Sequence, residues 1–537
     1  MATVTTPVEP RLDPRRWWAL GALVASMLTL GFDTTILNVT LPTMAADLGA
    51  TTGEQQWMAD AYVVVFASLM LPAGLLGDRF GRRRMLVAGL ALFLVGSLAG
   101  ALAGDVTAVV AARAAMGVGA ALITPLALSV VPSLFPADER GKAVGVISAA
   151  SALGLPLGPI IGGWLLNHFW WGSVFLVNVP MAALGIAACV LLLPETRDPS
   201  SPRVDALSAA LGVSGLGALV YGFIDAPERG WDAPPILVLF AASAVLLTAL
   251  VVRERRVERP MLDMTLLAHR GFLLNTVAAT LVMFVLSGLL FVLPPYLQAV
   301  LGNDALGTGV RLLPMMGGLL VASRTAAPLA ARFGARLTVS AGLAVLAFAA
   351  LLGSRTSAAS GYGFTALWLS VTGLGFGLSL IPAMNGALGA LPRDRAGSGS
   401  GLLMTLRQVG GALGIALLGS LLSGTFRDRL DVTGLPARAA DTAGDSVVAA
   451  HLVAEKAGPV RGTDLVASAN SAYVHGMGVV LLVCGIAALV SALLAAAFLT
   501  GAPDPGTAEA AEPTETAEPT GPGTDPAMAA PPERAGQ

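Results

Sequence analysis

The sequence contains fourteen separate runs of about 20 mainly apolar residues, the length that an α-helix needs to cross the hydrocarbon core of a bilayer. Only 12% of the 537 residues are charged, whereas about a quarter are charged in an ordinary soluble chain. These features predict an all-α polytopic membrane protein with fourteen transmembrane helices. The predicted spans, numbered 1 to 14 in chain order, are 17–39, 57–76, 85–104, 108–133, 142–166, 172–193, 204–224, 235–252, 272–292, 306–330, 336–354, 362–388, 397–422 and 473–499.

Charge and motif content argue against several other classes of protein. The net charge of −2 predicts no nucleic-acid partner. The two cysteines, Cys189 and Cys484, lie inside apolar runs, so neither a disulfide framework nor a metal site is expected. The sequence has no Ser/His/Asp grouping and no phosphate-binding Walker loop. We therefore expect no enzyme activity and no cofactor, and the absence of a Walker loop argues against ATP hydrolysis.

Arginine residues are distributed unequally between the two sets of loops. The loops after even-numbered spans hold most of them, whereas the loops after odd-numbered spans, up to span 13, hold only Arg229 and Arg355. Because basic loops stay in the cytoplasm, the N-terminal segment 1–16 and the C-terminal tail 501–537 are both expected there. The tail is rich in Pro, Thr, Ala and Glu and is expected to be disordered. The segment 424–472 carries charges of both signs and is expected to form an extracytoplasmic loop.

A motif rich in glycine and arginine follows span 2, and a weaker copy follows span 10. The first copy reads Gly74-x-Leu76-Gly77-Asp78-Arg79-x-Gly81-Arg82-Arg83, and the second reads Ala331-Arg332-Phe333-Gly334-Ala335-Arg336. Each copy follows the second helix of a set of six, which leaves spans 7 and 8 between the sets. The predicted organisation is a six-helix bundle over 17–193, two inserted helices over 204–252 and a second six-helix bundle over 272–499.

Four further motifs lie inside the spans. They are Asp33-x-Thr35-x2-Asn38 in span 1, Arg113-x2-Met116-Gly117 in span 4, Gly154-x3-Gly158-Pro159-x2-Gly162-Gly163 in span 5 and Arg407-Gln408-x-Gly410-Gly411 in span 13. Together with the six-two-six arrangement they resemble the fourteen-helix drug:proton antiporters of the major facilitator superfamily, over about residues 17–500. The resemblance implies two pseudo-symmetric bundles around a central cavity that opens alternately to the two sides.

Two positions depart from the pattern of that family. Met116 stands where the family usually has glutamine, and Gly172 follows Trp171 where the family usually has arginine. The role that the family arginine fulfils there is not carried over to this chain.

Charged residues inside the spans are the strongest pointers to a site, because a charge at mid-helix costs at least about 2.5–3.5 kcal/mol. Asp33 and Arg113 are such residues, and we expect them to couple transport to protons. For Arg407 two roles stay open, a structural hydrogen bond to helix carbonyls and a contact with substrate. Arg324 is expected to extend its side chain towards the membrane surface.

The remaining candidates fall into three sets. The loop after span 2 is expected to act as a gate, although a solvated basic loop is the alternative; its residues are Gly74, Asp78, Arg79, Gly81, Arg82 and Arg83. The resemblance implies that the antiporter motif of span 5 shapes the export cavity by close packing; its residues are Gly154, Gly158, Pro159, Gly162 and Gly163. The candidates for the cavity wall are Asn38, Tyr62, Met116, Asn385, Met404, Arg407 and Gln408.

The expected function is export of an amphipathic small molecule, a drug or an antibiotic, in exchange for protons across the bacterial inner membrane. A cationic substrate is one option. The partners would be the substrate, protons and membrane lipid, and the protein is expected to act as a monomer. Two alternatives remain, namely a dedicated exporter of an endogenous metabolite or lipid, and a sensor or scaffold that has lost transport.

The arginine distribution generates a prediction about topology. Cysteines introduced at residues 2 and 520 should react only with reagents that reach the cytoplasm, and a cysteine at residue 440 should react from outside intact cells. Labelling that places residues 2 and 520 on opposite sides would contradict an even number of spans.

Overall fold

This computed structural model describes residues 16–197, 205–257, 260, 264–357, 360–391 and 396–499, with the side chains of part of the fifth span left undescribed. Within these residues all regular secondary structure is helical, which confirms the all-α fold class. Almost all of the N-terminal segment 1–16 and the whole tail 501–537 lie outside the described residues. Their cytoplasmic position and the disorder of the tail stay predictions.

The described helices form two groups that each pack together, joined by a helical hairpin. The first group comprises α1 (Arg16–Leu48), α2 (Thr52–Phe80), α3 (Arg82–Ala101), α4 (Val106–Ser129), α5 (Val131–Leu134), α6 (Ala137–His168), α7 (Ser173–Leu176) and α8 (Asn178–Leu192). The hairpin comprises α9 (Ala206–Arg229) and α10 (Pro234–Arg256). The second group comprises α11 (Arg270–Pro295), α12 (Ala305–Arg311), α13 (Leu313–Gly353), α14 (Tyr362–Gly389), α15 (Ala396–Arg429), α16 (Ala437–Asp445), α17 (Val447–Lys456) and α18 (Pro459–Phe498).

A test of helix length and hydropathy finds fewer candidate membrane crossings than the fourteen that the sequence pattern predicts. Eleven stretches of the described chain pass that test, or twelve if α2 crosses once despite its bend near Pro72. One of the eleven runs from Ala305 to Gly353, and its 49 residues contain a non-helical Gly334 with φ of 83°. A helix of that length would be about 70 Å long, more than twice the ~30 Å of the hydrocarbon core. The count of fourteen stays a prediction, with Gly334 at the expected boundary between spans 10 and 11.

The glycines of α6 allow it to touch α1, the helix that carries Asp33. A Cβ atom on Gly154 would lie 2.5 Å from the carbonyl carbon of Gly31, and one on Gly162 would lie 2.5 Å from Cγ1 of Ile36. Three glycines four residues apart, at positions 154, 158 and 162, therefore form one face of α6 against α1. Small residues at these positions let the two helix backbones approach closely.

The hairpin of α9 and α10 lies against both groups. Tyr221 packs on Trp57 of α2, with ring centroids 5.5 Å apart, and Ser420 of α15 donates a hydrogen bond to the carbonyl of Phe223. Helix α10 is mostly exposed on the surface, with apolar side chains such as Leu237 and Val245. This exposure suits a helix that faces lipid.

The two groups are hydrogen-bonded to each other at the end of the molecule where α1 and α6 finish. Gln298 follows α11 and donates its Nε2 to the carbonyl oxygen of Val39 at 2.8 Å. Asn167 of α6 donates its Nδ2 to Asp304, the residue that caps α12, at 2.5 Å. We call this the closed end.

The segment 424–472 is mostly helical. Helices α15 and α18 extend into it, and α16 and α17 lie between them. This segment also meets the first group, because Thr52 donates its hydroxyl to the carbonyl of Asp445 at 2.7 Å. The segment therefore lies at the closed end, and its position outside the cell stays a prediction.

The packing of α6 on α1 generates a prediction about stability. In Gly154→Val the new side chain would collide with backbone atoms of Gly31, which cannot rotate away, so we expect a loss of about 1–3 kcal/mol from overpacking. Gly217→Val is the matched control, because a Cβ there has no neighbour within 4 Å. Thermal unfolding in detergent measures both, and equal midpoints would contradict the close approach.

Candidate functional site

A cavity of about 350 Å³ lies between the two groups of helices. Its volume falls within the range of about 300–1,000 Å³ that is usual for small-molecule sites. The walls come from α1, α2 and α4 on one side and from α11 and α15 on the other. Its lining is mainly apolar and includes Met27, Leu30, Phe66, Met283, Leu286 and Leu290. Such a cavity suits an amphipathic molecule.

A buried ion pair lies at the wall formed by the first group. The Nη1 atom of Arg113 in α4 lies 2.6 Å from Oδ2 of Asp33 in α1, and each side chain is 2% exposed. The structure thus brings together the two residues that the sequence predicts for proton coupling. Removing two charges from water is costly, so a pair at this depth requires good geometry and further hydrogen bonds.

Further groups complete the surroundings of this pair. Asn178, the first residue of α8, donates its Nδ2 to Oδ1 of Asp33 at 3.1 Å. Arg113 donates its Nε to the carbonyl of Met58 at 3.2 Å, and its guanidinium lies over the ring of Tyr62 with 4.4 Å to the centroid. The pair thereby connects α1, α2, α4 and α8. A change in its protonation would act on four helices at once.

A second buried carboxyl group lies close in sequence to these contacts. Asp60 of α2 is 0% exposed, and neither of its carboxylate oxygens has a hydrogen-bond partner among the described residues. It is not among the described residues that line the cavity.

Arg407 of α15 lies in the cavity wall opposite the first group. Its Nη1 atom lies 3.1 Å from the sulfur of Met404 and 3.4 Å from that of Met384, and its Nη2 lies 3.6 Å from that of Met283. Its Nε atom is buried without a hydrogen-bond partner among the described residues. The helix carbonyls that the sequence suggested as partners are not among its described contacts.

The structure distributes the predicted cavity residues in two ways. Those that line the cavity are Asn38, Tyr62, Arg407 and Gln408. The other three are absent from the described lining. Met116 is 0% exposed and packs against Gly96 of α3. Met404 contacts Arg407 through its sulfur, and Asn385 is exposed on α14.

The loop after span 2 binds three parts of the first group together. Arg82 donates its Nε to Asp78 at 2.8 Å and its Nη1 to the carbonyl of Ser129 at the end of α4, also at 2.8 Å. A cation at that place also interacts favourably with the helix dipole. Gly81 has φ of 109°, and a Cβ there would meet the carboxylate of Glu195. Glycine is therefore required at this turn.

The other residues of this motif occupy the same surface. Arg83 donates its Nη1 to the carbonyl of Leu193 at 3.1 Å and its backbone N–H to Glu195 at 3.2 Å. Arg79 is exposed, and Gly74 lies 3.8 Å, measured from an added Cβ, from Pro125. All these contacts lie within the first group of helices.

The antiporter motif of α6 contacts both groups. Gly154, Gly158 and Gly162 face α1, as described above. An added Cβ on Gly163 would lie 2.5 Å from the carbonyl oxygen of Ala305, and the carbonyl of Pro159 lies against Gly309 of α12. The motif therefore lies at the junction between the two groups near the closed end.

Sequence reasoning missed several residues around these sites. Asn178 binds Asp33, Glu195 binds two arginines of the loop, and Met283 and Ser287 line the cavity from α11. Asn178 carried a usable signal, since it is a polar residue near the start of an apolar span. Met283 and Ser287 carried none, because no charge or motif distinguishes them from the rest of span 9.

Similar proteins were found by sequence. The puromycin resistance protein pur8 of Streptomyces alboniger is 37% identical over 417 residues, 77% of this chain and 83% of that protein. The tetracenomycin C resistance and export protein of Streptomyces glaucescens is 32% identical over 503 residues, 92% of this chain and 93% of that protein. The multidrug efflux pump LfrA of Mycolicibacterium smegmatis is 32% identical over 494 residues, 91% of this chain and 97% of that protein.

A similar fold occurs among solved structures. A bacterial homolog of the human lysosomal transporter Spinster, in an inward-facing and unoccupied conformation, superposes with a TM-score of 0.66. The match covers 92% of this chain and 99% of that chain at 18% identity. This similarity concerns the fold alone.

The sequence profile of the Major Facilitator Superfamily matches residues 23–415. The profile spans α1 to the middle of α15 and so includes the cavity, the ion pair and Arg407. With these matches, the chain is a multi-pass membrane transport protein that belongs to the Major Facilitator Superfamily.

Proposed function

We propose that this protein exports an amphipathic drug or antibiotic from the bacterial cytoplasm across the inner membrane, in exchange for protons. The similarity over almost the whole chain to proteins named for drug resistance and efflux supports export. The apolar cavity between the two groups of helices supports a drug-sized amphipathic substrate.

The observation that carries the coupling is the buried pair of Asp33 and Arg113. A proton on Asp33 would remove its charge and weaken its contact with Arg113, which is 2.6 Å away. Because the pair and its neighbours connect four helices, protonation would change the packing of the first group. The carboxyl group can therefore act as the switch between two conformations, as antiport requires.

Proton and substrate would exclude each other through access to Asp33. The side chain of Asp33 is only 2% exposed, and its partner Arg113 belongs to the cavity wall. A substrate that fills the cavity would separate Asp33 from water and from the proton that water carries. An empty cavity would allow the proton to reach the carboxylate, so each crossing would carry one of the two.

The loop after span 2 is proposed as a gate at the end opposite the closed end. In this conformation Asp78 is bound to Arg82 inside the first group. Closure of that end would require the loop to exchange some of these bonds for contacts with the second group. Asp78 would then control the rate of the conformational cycle without touching substrate.

Asp33→Asn should uncouple transport. Asparagine keeps the size and the acceptor oxygen of aspartate but cannot carry the exchanged proton. Inverted vesicles with an imposed pH gradient should therefore accumulate tetracenomycin C with the wild-type protein and fail to do so with the variant. Wild-type vesicles that do not accumulate this compound would count against drug export, and accumulation by Asp33→Asn would count against the coupling role.

Arg113 variants separate coupling from folding. Asp33→Asn alone leaves a buried arginine without its counter-ion, and breaking such a pair costs about 3–5 kcal/mol in general. The double variant with Arg113→Gln removes both charges and should recover part of that stability while remaining uncoupled.

Arg113→Ala should abolish coupled transport, and Arg113→Lys should retain a fraction of it, because lysine keeps the charge but lacks the planar fork. Full activity in Arg113→Ala would reduce Arg113 to a packing residue.

A further inference from the structure

Arg407 is a cation in the cavity wall without a counter-ion among the described residues. The described ion pairs do not include it, and its three side-chain contacts are methionine sulfurs at 3.1 to 3.6 Å. A thioether sulfur is a weak hydrogen-bond acceptor and carries no charge. The guanidinium therefore has donors available, and its buried Nε has no partner at all in the described structure.

The other charges near the cavity do not balance Arg407. Arg113 is already neutralised by Asp33 at 2.6 Å. Asp60 does not line the cavity, and the described residues that do line it include no carboxylate. The net charge that the described wall presents to a ligand is therefore positive, and it resides on Arg407.

A cation that is partly buried inside a membrane span and has no counter-ion among the described residues is costly to the folded protein, so such a group usually pairs or has a function. We propose that Arg407 binds an acidic group of the exported molecule, so that the substrates are amphipathic organic acids with a carboxylate or an ionised phenol. This proposal rests on the export function proposed above. The sequence left a cationic substrate open, but the described wall has no free anion to receive one.

The surroundings of Arg407 fit a ligand with one charged end and a large apolar body. The planar guanidinium can bind a carboxylate through two parallel hydrogen bonds. Gln408 of α15 and Ser287 of α11 supply further polar groups on the same side of the cavity. The three methionines around the guanidinium are flexible and polarisable, so they can adapt to aromatic bodies of different shapes.

An acidic substrate has a consequence for the energetics of transport. Export of an anion removes a negative charge from the cell, and entry of a proton adds a positive one. Both steps are therefore electrically equivalent to positive charge moving inward. The membrane potential, negative inside, would therefore drive both halves of the exchange. The proton acts at Asp33 and the acid at Arg407, so coupling does not require the two to share an atom.

The test compares three matched probes with one aromatic body, namely 2-naphthoxyacetate, its primary amide and the corresponding primary amine. Equilibrium binding to the purified full-length protein in lipid nanodiscs is measured without any ion gradient. The acid should bind at least about tenfold more tightly than the amide or the amine, since a hydrogen bond between two ionised groups is stronger than one to a neutral group. Arg407→Gln should lose this preference, and Arg407→Lys should keep part of it.

Two controls separate recognition from folding. Met404→Leu removes one sulfur contact at similar volume and should keep the preference for the acid. Arg407→Gln should unfold at the same temperature as wild type or higher, because it removes an uncompensated charge, and the acid should raise the unfolding temperature of wild type only. An arginine with a purely structural role would give a less stable Gln variant in which the acid is still preferred.

The proposal is overturned if the acid does not bind, if the amide or amine binds as tightly, or if Arg407→Gln leaves the preference unchanged. Because the assay has no gradient, it is independent of proton coupling. Acid binding that depends on Arg407, together with vesicles that transport nothing in response to a pH gradient, would overturn the proposed exchange and leave the acid site standing.

Discussion

The buried ion pair of Asp33 and Arg113 is the constraint around which the first group of helices is arranged. Two charges can remain 2% exposed inside the protein only if each keeps its partners. Asn178 donates a hydrogen bond to the carboxylate, and the carbonyl of Met58 accepts one from the guanidinium. The glycine face of α6 packs directly against α1, and this close packing fixes the position of Asp33 along the bundle. Close packing and charge pairing therefore depend on each other here.

The two arginines of the cavity wall have opposite electrostatic situations. Arg113 is fully compensated, so it presents little net charge to a ligand while its pair remains intact. Arg407 has methionine sulfurs for neighbours and stays uncompensated among the described residues. Under the proposed function, proton coupling and substrate binding would therefore take place at two separate charges. The first group would hold the proton switch, and the second group would hold the acid-binding charge.

Sequence patterns were sufficient for the features that depend on local order. Long apolar runs predicted the helices, and the cost of intramembrane charge singled out Asp33, Arg113 and Arg407. Features that depend on helix rotation were less accessible. Met116 and Tyr62 are both in spans beside the cavity, yet Met116 turns towards Gly96 while Tyr62 lines the wall. The helices α16 and α17 were missed because they are short, and their sequence is too polar for a test based on membrane spans. The Asn178 contact with Asp33 joins residues 145 positions apart, which no local pattern encodes.

We propose that a proton on Asp33 weakens its pair with Arg113 and thereby favours a conformation in which the closed end is open. Spin labels on cysteines placed at His168 of α6 and Val310 of α12, both exposed, report the separation of the two groups there; the native Cys189 and Cys484 are buried. Electron–electron resonance distances should lengthen in the wild type as pH falls, and Asp33→Asn should show the long distance at every pH. A wild-type distance that does not change with pH, or an Asp33→Asn protein that still changes with pH as wild type does, would contradict the claim.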